Sequence, residues 1–139
     1  MIIMVSGGRA FNDYKVMHDA LLPYNELGNL LIVGGATGAD ELARRVWHYE
    51  FQLSYVVEPA PWKRTGRPAG MMRNRSMIDG QPLVPHASGL TPDLLILFPG
   101  GRGTAGAKTY AEERGIDTYT VVQTSLPDGT TGWVTVRPA

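Results

Sequence analysis

The sequence predicts an α/β fold: a Rossmann-like, mostly parallel sheet with helices on both faces and a C-terminal β-hairpin. Three observations predict it. Apolar runs at 2–5, 30–33 and 94–98 have the length of buried parallel strands. Each run is followed by a glycine pair: Gly7-Gly8, Gly34-Gly35 and Gly100-Gly101. Each pair is followed by a stretch able to form a helix, and alternating strands and helices are the pattern of a parallel sheet covered on both faces.

The elements follow in order. Residues 2–5 form a strand, and the Asn12-Asp13 cap signal opens a helix of about 12 residues. Pro23 and Gly28 close that unit. A second strand at 30–33 leads through Gly34-Gly35-Ala36-Thr37-Gly38 into a helix reaching Tyr49. On that helix Leu42, Val46 and Tyr49 share one face. A short strand at 54–57 precedes a loop rich in Pro, Gly and Arg at 59–70, and a helix spans 71–78. Residues 80–92, with three prolines and two glycines, read as a mobile loop. The third glycine unit is a strand at 93–98, the turn Gly100–Gly103, and a helix to Arg114 stopped by Gly115. A strand at 117–123 follows. Pro127-Asp128-Gly129 then turns the chain into 133–136, a hairpin over 118–137 that adds an antiparallel edge strand.

At 139 residues the chain is one domain, 1–139, with its core in 1–122. It has no cysteine, which excludes disulfides, thiolate zinc sites and a cysteine nucleophile. No apolar stretch approaches the roughly 20 residues that span a bilayer, and no leader-like segment opens the chain, so a cytoplasmic location is expected with no membrane partner. Net charge is zero, which counts against broad nucleic-acid binding. The charge is uneven, however. Lys63, Arg64, Arg67, Arg73 and Arg75 fall in 59–78 without an acid, which suits a small polyanion better than a duplex.

In an open α/β sheet, ligands bind outside the carboxyl ends of the strands. If the three strands are parallel, all three glycine pairs meet at that edge. Backbone N–H groups in a glycine turn, together with a helix N-terminus, bind phosphate without any side chain. Gly34–Asp40 and Gly100–Thr104 both have this form, so a phosphate-bearing small molecule, a nucleotide or its derivative, is the expected ligand. Each pair taken singly could also serve only as a tight βα turn. Gly101-Arg102-Gly103-Thr104-Ala105-Gly106 matches a dinucleotide fingerprint, but the next strand ends Val121-Val122-Gln123 without the acid that NAD binding needs. As a Walker A loop it fails because Lys108-Thr109 comes one residue late. Arg9 can pair with phosphate in bidentate fashion. Asp40 can bind a ribose hydroxyl or a base edge, or simply favour the positive end of its helix. Arg73 and Arg75, two apart, cannot share a helix face. Trp62 could stack on a base or anchor the loop. His18, His48 and His86 lie in separate elements and suggest neither a metal site nor a triad.

Four motifs occur in order: Ser6-Gly7-Gly8-Arg9; Gly34-Gly35-Ala36-Thr37-Gly38-Ala39-Asp40; Trp62-x3-Gly66-x2-Ala69-Gly70-x2-Arg73-Asn74-x2-Met77; and Phe98-Pro99-Gly100-Gly101-Arg102-Gly103-Thr104. Together they resemble the YspA-like branch of the SLOG superfamily over roughly residues 1–122. That superfamily includes the cytokinin-activating phosphoribohydrolases and the DNA-processing protein DprA. The resemblance implies a Rossmann-like fold that binds nucleotides or nucleotide-derived signals, in bacteria and phages often within signalling and conflict systems. It implies that Gly7, Gly8 and Arg9 sit by phosphate or sugar and that Gly34, Gly35, Thr37, Gly38 and Asp40 line a second loop. It further implies that Arg73 and Asn74 reach in from the middle helix and that Gly100, Gly101, Gly103 and Thr104 cradle phosphate.

The phosphoribohydrolase branch has a glutamate soon after this last loop. Here Ala105-Gly106-Ala107-Lys108 follows Thr104, and Glu112 and Glu113 come two turns later. A nucleotide-directed hydrolase, an N-glycosidase or phosphohydrolase, would have to use Asp40 as the catalytic carboxylate, with Arg73 beside it. The leading expectation is therefore a sensor or sequestering module for a nucleotide. The hydrolase is the alternative, and single-stranded DNA binding in the manner of DprA is the third reading. No cofactor is certain; magnesium could accompany the phosphate, and a homodimer is compatible with the sequence.

Overall fold

The computed structural model describes residues 1–58, 69–80 and 89–138. Its elements are β1 (Ile2–Ser6), α1 (Tyr14–Leu21), β2 (Leu30–Gly34), α2 (Ala39–Arg45), β3 (Tyr55–Glu58), α3 (Ala69–Asp79), β4 (Leu94–Leu97), α4 (Arg102–Glu113), β5 (Asp117–Ser125) and β6 (Thr131–Val136). They form one six-stranded sheet in the order β3-β2-β1-β4-β5-β6. Every pairing is parallel except β5–β6, the hairpin at one edge. The α/β fold expected from the sequence is the fold observed.

Alternation along the strands separates two layers. Ile3, Val5, Leu31, Val33, Leu94 and Ile96 point to the face covered by α1 and α2, where Met17, Leu21, Ala43 and Trp47 complete the core. Met4, Ile32, Leu95 and Leu97 point to the opposite face, where Met77 and Ile78 of α3 and Ala107 and Ala111 of α4 meet them. The small residues of α4 let that helix lie close to the sheet.

Asp13 caps α1, its carboxylate accepting from the Val16 N–H, as the cap signal predicts. The regular helix is shorter than expected: it gives way to a 3-10 turn at Leu22–Tyr24 that carries Pro23. The second helix differs more. After Arg45 it widens into a π-helical turn, Val46–Glu50, closed by the Phe51 N–H on the Val46 carbonyl. The buried face of this segment runs through Ala39, Ala43, Val46 and Trp47. Leu42 and Val46 face inward as expected, but Trp47 takes the next core position and Tyr49 is 66% exposed. The expected face Leu42, Val46, Tyr49 therefore fails at its last member.

At the far end, Gly115 adopts a left-handed φ of 72° and stops α4 as predicted. The Pro127-Asp128-Gly129 turn closes the hairpin, with Leu126 N–H donating to the Thr130 carbonyl at 2.7 Å. Trp133 of β6 is half-buried, edge-on to Phe11 with ring centres 5.9 Å apart. No helix among the described residues is long and apolar enough to cross a membrane.

Candidate functional site

Strand order reverses between β1 and β4. From β1 the chain leaves toward β2, and from β4 it leaves in the opposite direction, toward β5. A crevice therefore opens beyond their carboxyl ends, the usual ligand position in this architecture. Two backbone hydrogen bonds hold the diverging loops side by side: Phe98 N–H to the Ser6 carbonyl at 2.9 Å, and Gly8 N–H to the Pro99 carbonyl at 2.8 Å. The crevice is a cavity of about 320 Å³ lined by Ser6, Gly7, Gly8, Arg9, Ala36, Asp40, Gly70, Arg73, Asn74, Gly101, Gly103 and Thr104.

The glycines around it do two different jobs. A side chain at Gly7 would strike Ala39 Cβ at 2.6 Å and Phe98 Cβ at 2.9 Å. One at Gly38, whose φ is 80°, would collide with the Gly8 carbonyl, and one at Gly100 with the Thr104 hydroxyl and the Gly8 nitrogen. These glycines let the three loops approach one another. Gly101 and Gly103 are different: a Cβ there meets nothing within 4 Å. No packing demands glycine at either position, and both open directly onto the cavity at the start of α4. Gly101, the N-cap, supplies no side-chain cap, so the first N–H groups of this 12-residue helix keep their partial positive charge toward the cavity.

Two buried charges stand opposite this helix end. Arg73, on α3, is 7% exposed. Its guanidinium lies over Gly34, where any Cβ would collide with it. Among the described residues its side chain makes one hydrogen bond, Nε to Asn74 Oδ1 at 3.2 Å. Burial pulls its pKa below the ordinary arginine value, while the Asp40 charge opposes that pull. Asp40, in the first turn of α2, is 5% exposed and, among the described residues, accepts one hydrogen bond, from the Ala36 N–H at 3.3 Å. Burial raises its pKa to about 6, although Arg73, the Ala36 amide and Arg9 all draw it down. No direct ion pair closes between Asp40 and Arg73. The cavity thus holds a buried cation and a buried acid whose pKa is raised to about 6.

Of the residues singled out in the sequence, Gly7, Gly8, Arg9, Asp40, Arg73, Asn74, Gly101, Gly103 and Thr104 come together here. Gly34, Gly35 and Thr37 do not; they line a neighbouring cavity of about 270 Å³. Gly38 and Gly100 line neither and act through packing. Ser6, Ala36 and Gly70 complete the cavity without having been singled out, though all three lie within the quoted motifs. Arg75 is exposed and sits 5.1 Å from the Tyr110 ring centre, so only Arg73 of that pair enters the site. Glu112 and Glu113 are exposed on the last turn of α4 and do not line the cavity. His18 packs beside Phe51, and His48 beside Tyr49 and Tyr55. Among the described residues no three potential metal-binding side chains come together. Trp62, Lys63, Arg64, Arg67, His86 and most of the loop expected at 80–92 lie outside the described residues.

No protein-family model matches the chain. The chain is similar to the Gene 61 protein of Mycobacterium phage D29, with 29% identity over 123 residues that span 82% of this chain and 90% of that protein. The match spans most of both sequences, so a phage protein stands among the relatives of this α/β chain.

Proposed function

We propose that the protein binds a nucleotide or nucleotide-derived phosphate in the crevice between β1 and β4, as a sensor or sequestering module. One observation carries the reading: the buried Arg73 guanidinium and the uncapped amino end of α4 share one cavity. A buried cation is costly unless an anion compensates it. The nearby Asp40 carboxylate offsets part of that cost through its charge but closes no direct ion pair with the guanidinium. A phosphate would accept from the guanidinium on one side and from helix-end N–H groups on the other, both known anion-binding chemistry. The resemblance to YspA-like SLOG domains supports the same ligand class.

The test is calorimetric titration with inorganic phosphate, AMP and ADP-ribose, with and without magnesium. Binding by the native protein and at least tenfold weaker binding by Arg73→Ala are expected. Unchanged affinity in Arg73→Ala would refute the arginine assignment.

A second reading is favoured by the position of Asp40 in the same cavity with a pKa near neutrality. N-glycoside cleavage needs a carboxylate near the developing oxocarbenium ion, and a group titrating near pH 6 can also move a proton. Release of free base from AMP, abolished in Asp40→Asn, would establish this hydrolase. Absence of turnover across nucleoside monophosphates and ADP-ribose would leave binding alone.

A further inference from the structure

β6 ends the sheet, with β5 on its inner side. The Leu126 N–H reaches the Thr130 carbonyl, and Ser125 faces Thr131 in the next step of the register. Bonded and non-bonded pairs alternate between antiparallel strands, so Gly132, Val134 and Val136 turn their N–H and carbonyl groups toward β5. Thr131, Trp133 and Thr135 turn theirs outward, away from the sheet. An open edge of this kind is a template for another strand, and proteins commonly guard it with a charge, a proline or a bulge. Thr131–Val136 has no charge and no proline, and its register with β5 is unbroken.

One side of this edge is apolar. Val136 lies opposite Thr120 and Thr120 opposite Leu97, which puts Val136 and Val134 on the α4 face of the sheet. Leu126 joins them, its side chain reaching within 3.0 Å of where a Cβ on Gly132 would stand. Leu126, Val134 and Val136 are all exposed and form a row along β6.

The edge is complementary to itself. A twofold axis through the sheet pairs antiparallel strands so that each face keeps its own side chains. With the axis at Val134, that valine meets its own copy. Val136 falls opposite Gly132 of the second copy, where the lack of a side chain leaves it against that copy's Leu126. Trp133 and Thr135 fall opposite one another and exchange their outward hydrogen bonds. Charge selects the direction. The hairpin 118–137 carries two charged side chains, Asp128 at its turn and Arg137 at its end. Parallel pairing would set like charges together, whereas antiparallel pairing brings Arg137 of each copy beside the turn that holds Asp128 of the other.

We infer that the protein self-associates through β6, two copies pairing antiparallel so that their sheets become one. The crevice between β1 and β4 stays open in this arrangement, and the inference is independent of what binds there.

Sedimentation velocity from low micromolar to submillimolar protein tests it. The native mass should rise from that of one chain to that of two. Thr135→Pro removes an outward N–H without touching the bonds to β5, and Val134→Lys sets two like charges on the axis. Both should remain single chains throughout. Val134→Lys changes an exposed side chain, so its thermal unfolding when dilute should match the native chain. Amides of Trp133 and Thr135, fast to exchange in the monomer, should slow as the native dimer forms, while that of Val134, already bonded to β5, should not change. A native chain that stays monomeric at every concentration would overturn the inference and leave the edge for a strand of another protein. A dimer that survives both changes, or that forms without protecting Trp133 and Thr135, would overturn it too, since another surface would then hold the copies together.

Discussion

Asp40 is the residue at which stability and site chemistry meet. Its pKa in the folded chain, about 6, lies above the ordinary 3.8 because burial penalises the charge. Between those values the native state holds a proton that the unfolded chain has lost. The contribution of this group to stability is therefore fully present below about pH 4, declines as pH rises, and is lost above about pH 6. A shift of about two units corresponds to about 3 kcal/mol. Urea unfolding at pH 4.5 and pH 7.5 should show Asp40→Asn gaining on the native chain by an amount of that order at the higher pH. Equal pH dependence in both proteins would show that Asp40 is not the titrating group. Gly34 gives a second residue-scale test. Gly34→Ala places a methyl group against the Arg73 guanidinium, so it should weaken phosphate binding as much as Arg73→Ala does. The double variant should be no worse than Arg73→Ala alone, since both changes act through one side chain. Sequence reading put Gly34 near the ligand for its glycine; its actual role, making room for an arginine some forty residues away, depends on packing that no local pattern encodes.

At the scale of elements, α4 separates glycine used for a site from glycine left in a helix. Gly103 and Gly106 both have open space where a Cβ would be, yet only Gly103 lines the cavity. Either change to alanine should stabilise the helix by roughly 0.5–1 kcal/mol. Thermal unfolding should therefore rise in both variants, while phosphate affinity should fall only in Gly103→Ala. A fall in both would mean that the helix as a whole, and not its first turn, governs binding. The strands and most helix boundaries were legible because apolar runs, caps and glycine stops are local signals: Asp13 and Gly115 act as read. The π-helical turn at Val46–Glu50 was not legible. The face chosen through Leu42 put Tyr49 inside, whereas the face through Ala39 and Ala43 carries Trp47, whose Nε1 donates to the Ser54 carbonyl at 2.8 Å.

For the whole molecule, the glycine edge could be foreseen, but the place of the crevice could not. Three parallel strands put three glycine turns on one side whatever their order. Which two turns diverge depends on β1 lying beside β4, a pairing between distant parts of the chain. The sheet also grades in protection. β1 and β4 lie at its centre with both faces covered, while β6 is an edge strand whose Val134 and Val136 are exposed. Amide hydrogen exchange should be slowest in Met4, Val5 and Ile96 and fast on the outer edge of β6; comparable rates would show that the sheet opens as one unit. The same pairing orders events during synthesis. The Ile2 N–H is held by the Asp93 carboxylate, 91 positions further along. Strands β1 to β3 leave the ribosome together and can pack with α1 and α2, yet the Gly7-Gly8 turn then has no opposite wall. Only when the polypeptide has emerged past Thr104 do both sides of the crevice exist, so a nascent chain can pack its α1–α2 layer before the crevice gains its second wall.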